Sequence, residues 1–419
     1  MEIFVITRLY SGFENSLSKL IWKPEGVPAI YKLIEKLDKN SNLNLFLMAK
    51  DSGKTYTSNW KTKTDQKLKI AGLKNKVNIL AGINFFKGTL PKKIAMVARD
   101  LRHLLKILYL IKKKKPKLIY CDSSNVVIAY FVSKFFPKIP IVLRVLGVCS
   151  FLRSLPTSKR IVHKIYKKAF KAKFAAVIGT QDGSGVEYWF EKVLDKKIER
   201  FTILNGVDAG SIKNNLKNKY TMLRKSSINE KIILFVGRLE EYKGINTFLN
   251  AVLKLLIVNT KPCKVLIVGD GSLFNEVKNK IDQSKFKKNF ILLKNIPHKN
   301  ILQLHLLSDI YVSTNRDGNL SNANLEAISS NDCMVIPFPN IKEKIDIKTS
   351  SLLKDSVIYY ENESIDDLES KLQFLLLNPK HITKMKKQIK KIKTRFLKTW
   401  DQRIKEELEI LKNCETNNK

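Results

Sequence analysis

Short apolar runs alternate with stretches of helical periodicity along almost the whole chain, and this alternation narrows the fold more than any other feature. In the first half the candidate strands are Ile3 to Ile6, Leu43 to Ala49, Val77 to Leu80, Leu118 to Cys121, Ile141 to Val145, Ala176 to Ile178 and Phe201 to Leu204. Helical patterns fill the intervals, most clearly at Pro28 to Leu37, Pro91 to Lys115, Val126 to Phe136 and Thr157 to Ala172. The second half repeats the pattern with strands at Ile232 to Val236, Val265 to Val268, Phe290 to Leu293, Ile310 to Ser313 and Met334 to Ile336. It ends in a Lys-rich helical tail from Ile365 to Leu411. Runs that are apolar throughout suit strands covered on both faces, and strands alternating with helices suit parallel βα units. At 419 residues the chain exceeds what one core usually organises, so two α/β domains are expected. The turn signal Asn205-Gly206-Val207-Asp208 closes the first half, and the polar segment Ser211 to Glu230 is the candidate linker.

Charge separates the halves. Lys and Arg number 77 against 38 Asp and Glu, a net +39; residues 1–220 hold 43 basic and 15 acidic side chains, so +28 of the excess lies there. A basic half suits an anionic partner, either nucleic acid or membrane headgroups, although a lysine-rich composition with solvated faces accounts for part of it. Five scattered cysteines without a C-x-x-C pair point to reduced thiols in a cytoplasmic protein. No apolar run approaches the length of a membrane span, and Met1 to Ile6 reads as a first strand, not as a secretion signal.

The chemistry concentrates in the second half. After the apolar run Ile232 to Val236 comes Gly237, then Arg238 and Lys243 five residues apart, then Gly244 at the start of a helical pattern. Two cations between the carboxyl end of a strand and a helix start are placed to receive a diphosphate; as solvated loop cations they would do nothing further. Gly269 and Gly271 flank Asp270 after the next strand, a tight strand-to-helix turn that lacks the third glycine of a dinucleotide fingerprint. After the run ending at Ser313, the turn Asp317-Gly318-Asn319-Leu320 leads to Ser321 and Asn322, both good helix caps, and then to Glu326. Free N–H groups at such a helix start suit a phosphate, and Glu326 suits a ribose diol.

Taken together, Gly237-Arg238-x4-Lys243-Gly244, the Gly269-Asp270-Gly271 turn, Leu325-Glu326-Ala327 and Asn205-Gly206-Val207-Asp208 resemble family 4 of the retaining nucleotide-sugar glycosyltransferases of the GT-B fold. The likeness is strongest from Asn205 to Pro337. It implies two Rossmann-like domains facing a central cleft: an acceptor-binding domain over 1–215, completed by a C-terminal helix crossing back within 396–419, and a donor-binding domain over 216–395. It also implies that Arg238 and Lys243 contact the donor diphosphate, that Glu326 holds the ribose, and that Gly237, Gly269, Gly271 and the Gly318 to Asn322 loop surround the donor.

The family's first glutamate, eight positions before Glu326, is replaced here by Gly318, with Asp317 as the nearest acid; Asp317 is the candidate for that role. On the acceptor side the resemblance points to Gly12, Arg144 and Gly147. The donor is a nucleotide-diphosphate sugar, with no further cofactor and no metal expected, because preorganised cations can stabilise the leaving phosphate and no Asp-x-Asp triplet occurs. Retention on this fold places the acceptor on the leaving-group face, where a diphosphate oxygen can take its proton.

The five histidines show no metal spacing. His103 and His163 lie in basic amphipathic patterns, His298 is read in a loop after Pro297, and His305 in a helix. Two basic amphipathic stretches, Pro91 to Lys115 and Ser158 to Lys173, suit either a core-facing stripe with wet lysines or an anionic membrane surface. The expected activity is sugar transfer to a glycan or lipid-linked acceptor in cell-surface polysaccharide or lipopolysaccharide synthesis, at the inner face of the cytoplasmic membrane. Two alternatives stand beside it. One is a donor-binding relative without activity, suggested by the displaced first acid. The other is a nucleic-acid-binding protein, suggested by the charge but lacking a recognisable binding motif.

Overall fold

The structure, a computed structural model, describes residues 2–50, 60–86, 88–208, 230–258, 261–294 and 296–416. The expected linker, Ser211 to Glu230, lies outside them except for Glu230. By internal packing the chain forms two units: unit 1 is Met1–Thr180, Glu187–Ile203 and Asp401–Lys419, and unit 2 is Gln181–Val186 and Leu204–Trp400. Both are Rossmann-like.

Unit 1 is built on strands β1 (Glu2–Arg8), β2 (Asn42–Met48), β3 (Gln66–Leu68), β4 (Val77–Leu80), β5 (Leu118–Asp122), β6 (Ile141–Val145), β7 (Ala176–Gln181) and β8 (Glu199–Leu204). Their spatial order is β3-β4-β2-β1-β5-β6-β7-β8. β1 lies parallel between β2 and β5, with Ile3 opposite Leu43 on one side and Leu118 on the other. Ile3 to Ile6, Leu118 to Cys121 and Ile141 to Leu143 are all buried, which is why these strands read as unbroken apolar runs. β3 pairs antiparallel with β4 and is missing from the sequence reading, because three residues, none of them buried, carry no period.

Unit 2 contains β9 (Lys231–Val236), β10 (Cys263–Val268), β11 (Phe290–Leu293), β12 (Ile310–Val312), β13 (Cys333–Pro337) and β14 (Ile358–Tyr360), in the order β11-β10-β9-β12-β13-β14. Alternate residues serve two cores. Ile233, Phe235, Val265, Ile267, Ile310 and Val312 join one cluster, and Ile232, Leu234, Leu266, Val268 and Tyr311 the other. Helices cover both faces, among them Ile245–Val258, Phe274–Gln283, His298–Leu307, Asn322–Ser330 and Ile365–Leu377. The order reverses at β9: the chain steps from β9 to β10 on one side and later returns to β12 on the other. That reversal opens a crevice at the carboxyl ends of β9 and β12, where open α/β sheets take their ligands.

The last helix, Trp400–Thr416, packs from Asp401 onward with unit 1. Its Glu407 and Arg403 have no exposed surface. Glu407 accepts from Tyr120 Oη at 2.8 Å, pairs with Arg144 Nε at 3.2 Å and is also bridged by Arg403 Nη1. Burial opposes the charge on Glu407, but the two guanidinium groups hold its carboxyl below the usual range.

Candidate active site

The two segments singled out in the second half leave the sheet side by side, one from β9 and one from β12, at the point where the strand order reverses. Arg238 and Lys243 are both half-buried in the β9 segment. A short 3-10 turn, Glu241–Lys243, delivers Lys243 and closes on Gly244, whose φ of 68° is left-handed. A Cβ at Gly244 would strike the Thr314 carbonyl of the β12 segment. The same contact is tied by Thr314 Oγ1, which donates within 2.8 Å of the Lys243 carbonyl and 2.9 Å of the Gly244 carbonyl. Arg316 N–H reaches the Tyr242 carbonyl at 3.1 Å.

Gly269 and Gly271 perform the same service on the other flank. A Cβ on Gly269 would collide with the Gly237 carbonyl, and one on Gly271 with the Leu239 carbonyl. Leu239 N–H donates to the Asp270 carbonyl and Gly237 N–H to that of Val268, both at 3.0 Å. These glycines therefore let three loops close against one another. Gly237 differs, since a Cβ there would make only ordinary contact with the Phe235 ring at 3.7 Å.

The loop after β12 is held by a buried polar network that the sequence does not announce. Asn319 has no exposed surface; its N–H donates to Asp346 Oδ1 at 2.6 Å, and its Nδ2 donates to Asp346 Oδ2 and to the Asn315 carbonyl. Asn319 Oδ1 accepts from Ser313 Oγ and from Asn324 Nδ2. Leu320 is a core residue, and its N–H donates to the Asp182 carbonyl at 3.0 Å. At Gly318, with φ 129°, a Cβ would clash with the backbone of Asp182 and Gly183.

The Asn319 and Leu320 amides of the loop expected to surround the donor are thus engaged by Asp346 and Asp182. The carboxylate that engages Asn319 sits where burial pushes its pKa up to about 6, against hydrogen bonds from Thr349 and Asn319 and with the like charge of Asp182 adding to the rise. Asp182 is itself raised by burial, while Ser184 and the charge of Lys243 pull it down, which places Lys243 within electrostatic reach of this loop. Asp317, half-buried, has its N–H 3.4 Å from Asn315 Oδ1.

Ser321 takes the cap position of Asn322–Ser330, but its hydroxyl turns to Asn324 Oδ1 at 3.2 Å instead of capping the helix. The first helical amide taken up inside the helix is that of Leu325, on the Ser321 carbonyl. Asn322 accepts from Asn205 Nδ2 at 2.8 Å, so the Asn205-Gly206-Val207-Asp208 turn is fixed to this helix start. Gly206 in turn lies against the Trp400 backbone, where no Cβ would fit. One turn further, Glu326 Oε1 lies 2.7 Å from His298 Nε2. His298 begins the helix His298–Leu307 and does not sit in a loop, because Pro297 supplies the extended residue that starts a helix.

The residues expected on the acceptor side lie in unit 1. Gly12 packs against the Glu25 carbonyl, with Glu25 N–H returned to Gly12 at 2.9 Å, and Gly147 has a φ of 102° that favours glycine. Arg144 was expected to present a cation to a ligand. It has no exposed surface, and its guanidinium is engaged by Glu407, by the Val145 and Ile178 carbonyls and by Thr180 Oγ1. Its charge serves the interior of the unit. His103 and His305 are equally internal, on the Ala81 carbonyl and on Asp332. Among the described residues no three His, Cys, Asp or Glu side chains converge as a metal site would require.

Residues 221–392 match the family described as Glycosyl transferases group 1. The chain carries a glycosyltransferase domain of that family. The matched region contains β9 to β14, both cations and Glu326. Over 272 residues the chain is 27% identical to the UDP-Gal:alpha-D-GlcNAc-diphosphoundecaprenol alpha-1,3-galactosyltransferase of Escherichia coli, covering 60% of this chain and 68% of that relative. Among solved structures, sucrose-phosphate synthase from Thermosynechococcus elongatus superposes with a TM-score of 0.71 at 11% identity, over 99% of each chain. HepE of Anabaena, solved with UDP, superposes with a TM-score of 0.64 at 14% identity, over 98% of this chain and 100% of that one. The fold is GT-B.

Proposed function

We propose that this glycosyltransferase moves a sugar, with retention, from a nucleotide-diphosphate sugar to a glycan or lipid-linked acceptor in polysaccharide or lipopolysaccharide synthesis. The observation that carries the reading is the convergence of the β9 and β12 segments at the reversal point of the second sheet. Two half-buried cations stand on the β9 segment, and the β12 segment beside it leads into a helix start with a carboxylate one turn along. Arg238 and Lys243 stabilise the charge that develops on the leaving diphosphate, with no metal needed for that step. Glu326, oriented by His298, receives the ribose diol. Asp317 approaches the sugar, and the acceptor attacks from the leaving-group face with its proton passing to a diphosphate oxygen. The UDP held by HepE favours a uridine donor, and the galactosyltransferase relative, whose acceptor is a diphosphate lipid, favours a lipid-linked acceptor at a membrane surface.

A thermal-shift series with UDP, UDP-galactose, UDP-glucose and a guanosine counterpart tests the donor. A ligand at about 100 times its dissociation constant adds roughly 2.7 kcal/mol of stability. Arg238→Ala and Lys243→Ala are each expected to lower turnover of labelled donor at least ~100-fold with the fold intact, since each removes preorganised charge from the leaving group. Normal turnover in either variant would remove the diphosphate assignment.

A further inference from the structure

The helix Lys92–Lys114 is packed inside out. The side chains it buries are Ala95, Arg99, His103, Ile107 and Ile111, one every fourth residue. Arg99 and His103 are 5% and 0% exposed, whereas Val97 is 70% exposed and Leu105 58%. Ile94, Leu101 and Tyr109 continue the outward apolar row. A solvated helix is expected to show the opposite arrangement, and contiguous apolar surface of this kind marks a contact site.

A second helix extends the patch. Ile161–Phe170 exposes Ile161 (76%), Val162 and Ile165, with Lys164 and Lys168 exposed between and beside them. Both helices are crossovers between parallel strands of one sheet, from β4 to β5 and from β6 to β7, in the same direction along it. They therefore lie on the same face and begin at its carboxyl edge. Val126–Phe135 packs against both, so the two helices flank it on that face.

The charge around the patch selects the partner. From residue 66 to residue 181 there are 26 Lys and Arg and two acids. Asp122 is buried, and Asp100 is bridged by Arg99 and Lys50, so neither acid offsets the surface cations. We propose that unit 1 docks on an anionic bilayer through the outer faces of Lys92–Lys114 and Ile161–Phe170. Their aliphatic side chains enter the interface, and Lys93, Lys106, Lys159, Arg160, Lys164 and Lys168 meet the headgroups. A nucleic acid would satisfy the cations but leave this apolar row against phosphates. The inference rests on the membrane location proposed above only in naming the partner. Vesicle binding is read without sugar transfer, so the two fail separately.

Flotation of the full chain with phosphatidylcholine vesicles, with and without phosphatidylglycerol, tests it. Binding to the anionic vesicles that weakens with salt is expected, with none to phosphatidylcholine alone. Val97→Glu with Leu101→Glu should lower partitioning at least ~100-fold, about tenfold for each side chain withdrawn, at an unchanged melting temperature. The same charge change at Ile257→Glu with Leu377→Glu, exposed positions of unit 2, should leave most of the binding in place. Equal losses in the two pairs would show that net charge alone binds and overturn the proposal. So would the absence of flotation, a wild-type dimer that Val97→Glu with Leu101→Glu dissociates, or salt-sensitive RNA retention in place of vesicle binding.

Discussion

Glu326 and Asp317 flank the start of one helix, and the function proposed above gives them separable tasks. Glu326 is paired with His298, a partner that Gln at the same position keeps, so Glu326→Gln isolates the loss of charge. Removing a charged acceptor from a ribose diol costs roughly 1.5–3 kcal/mol, and the variant should bind the free nucleotide diphosphate that much more weakly by calorimetry. Asp317→Asn should leave nucleotide affinity unchanged and reduce affinity for the nucleotide sugar or its transfer. If Asp317→Asn matches wild type in both, Asp317 is a turn residue preceding Gly318. The cations and glycines of this site were legible because each follows an apolar run at a fixed short interval. Asp346, Asp182 and His298 were not: Asp346 acts on Asn319 from 27 positions away and His298 on Glu326 from 28, and no local period records such pairings. Arg144 misled for the same reason, since its counterion Glu407 is supplied by the last helix of the chain.

Among the elements, the buried parallel strands were the most readable, for their two covered faces leave no polar position to blur the run. The helix Lys92–Lys114 was readable as a helix but not in its orientation. An apolar stripe at helical spacing says which residues share a face, not which face meets the sheet, and here the sheet takes the face carrying Arg99 and His103. The loops around the crevice at the carboxyl end of β9 give an element-scale test. Gly269→Ala places a Cβ on the Gly237 carbonyl and must part the β9 and β10 turns, a strain of roughly 1–3 kcal/mol. Gly237→Ala meets only the Phe235 ring at contact distance. Chemical denaturation should therefore show Gly269→Ala destabilised and Gly237→Ala near wild type. A loss of donor affinity in Gly237→Ala without a loss of stability would indicate that the donor itself approaches that backbone. Equal stabilities for the two variants would contradict the loop packing.

Across the whole molecule the buried ionisable groups of the two units respond to acid in opposite directions. In unit 1, burial with help from Lys50 lowers His103 from 6.5 to about 3, while Asp100, Asp122 and Glu407 are held below the usual range by neighbouring cations and hydrogen bonds that outweigh their burial. Each of these groups takes up its proton more readily in the unfolded chain. The stability His103 contributes is complete above pH 6.5 and falls by about 1.4 kcal/mol per pH unit as the pH drops toward 3. In unit 2, burial raises Asp182, Asp332 and Asp346, the last from 3.8 to about 6. These protonate first in the folded state, so between pH 6 and 3.8 Asp346 favours folding more strongly as the pH falls. Calorimetric scans of the full chain at pH 7 and pH 5 should thus separate two transitions, with the unit 1 transition losing roughly 2 kcal/mol from His103 alone. His103→Gln keeps a donor for the Ala81 carbonyl and has no proton to gain, so the transition whose acid shift it abolishes is that of unit 1. Two transitions that move together with pH, or a His103→Gln protein that shifts as wild type does, would mean that surface charge, not these buried groups, governs the acid response.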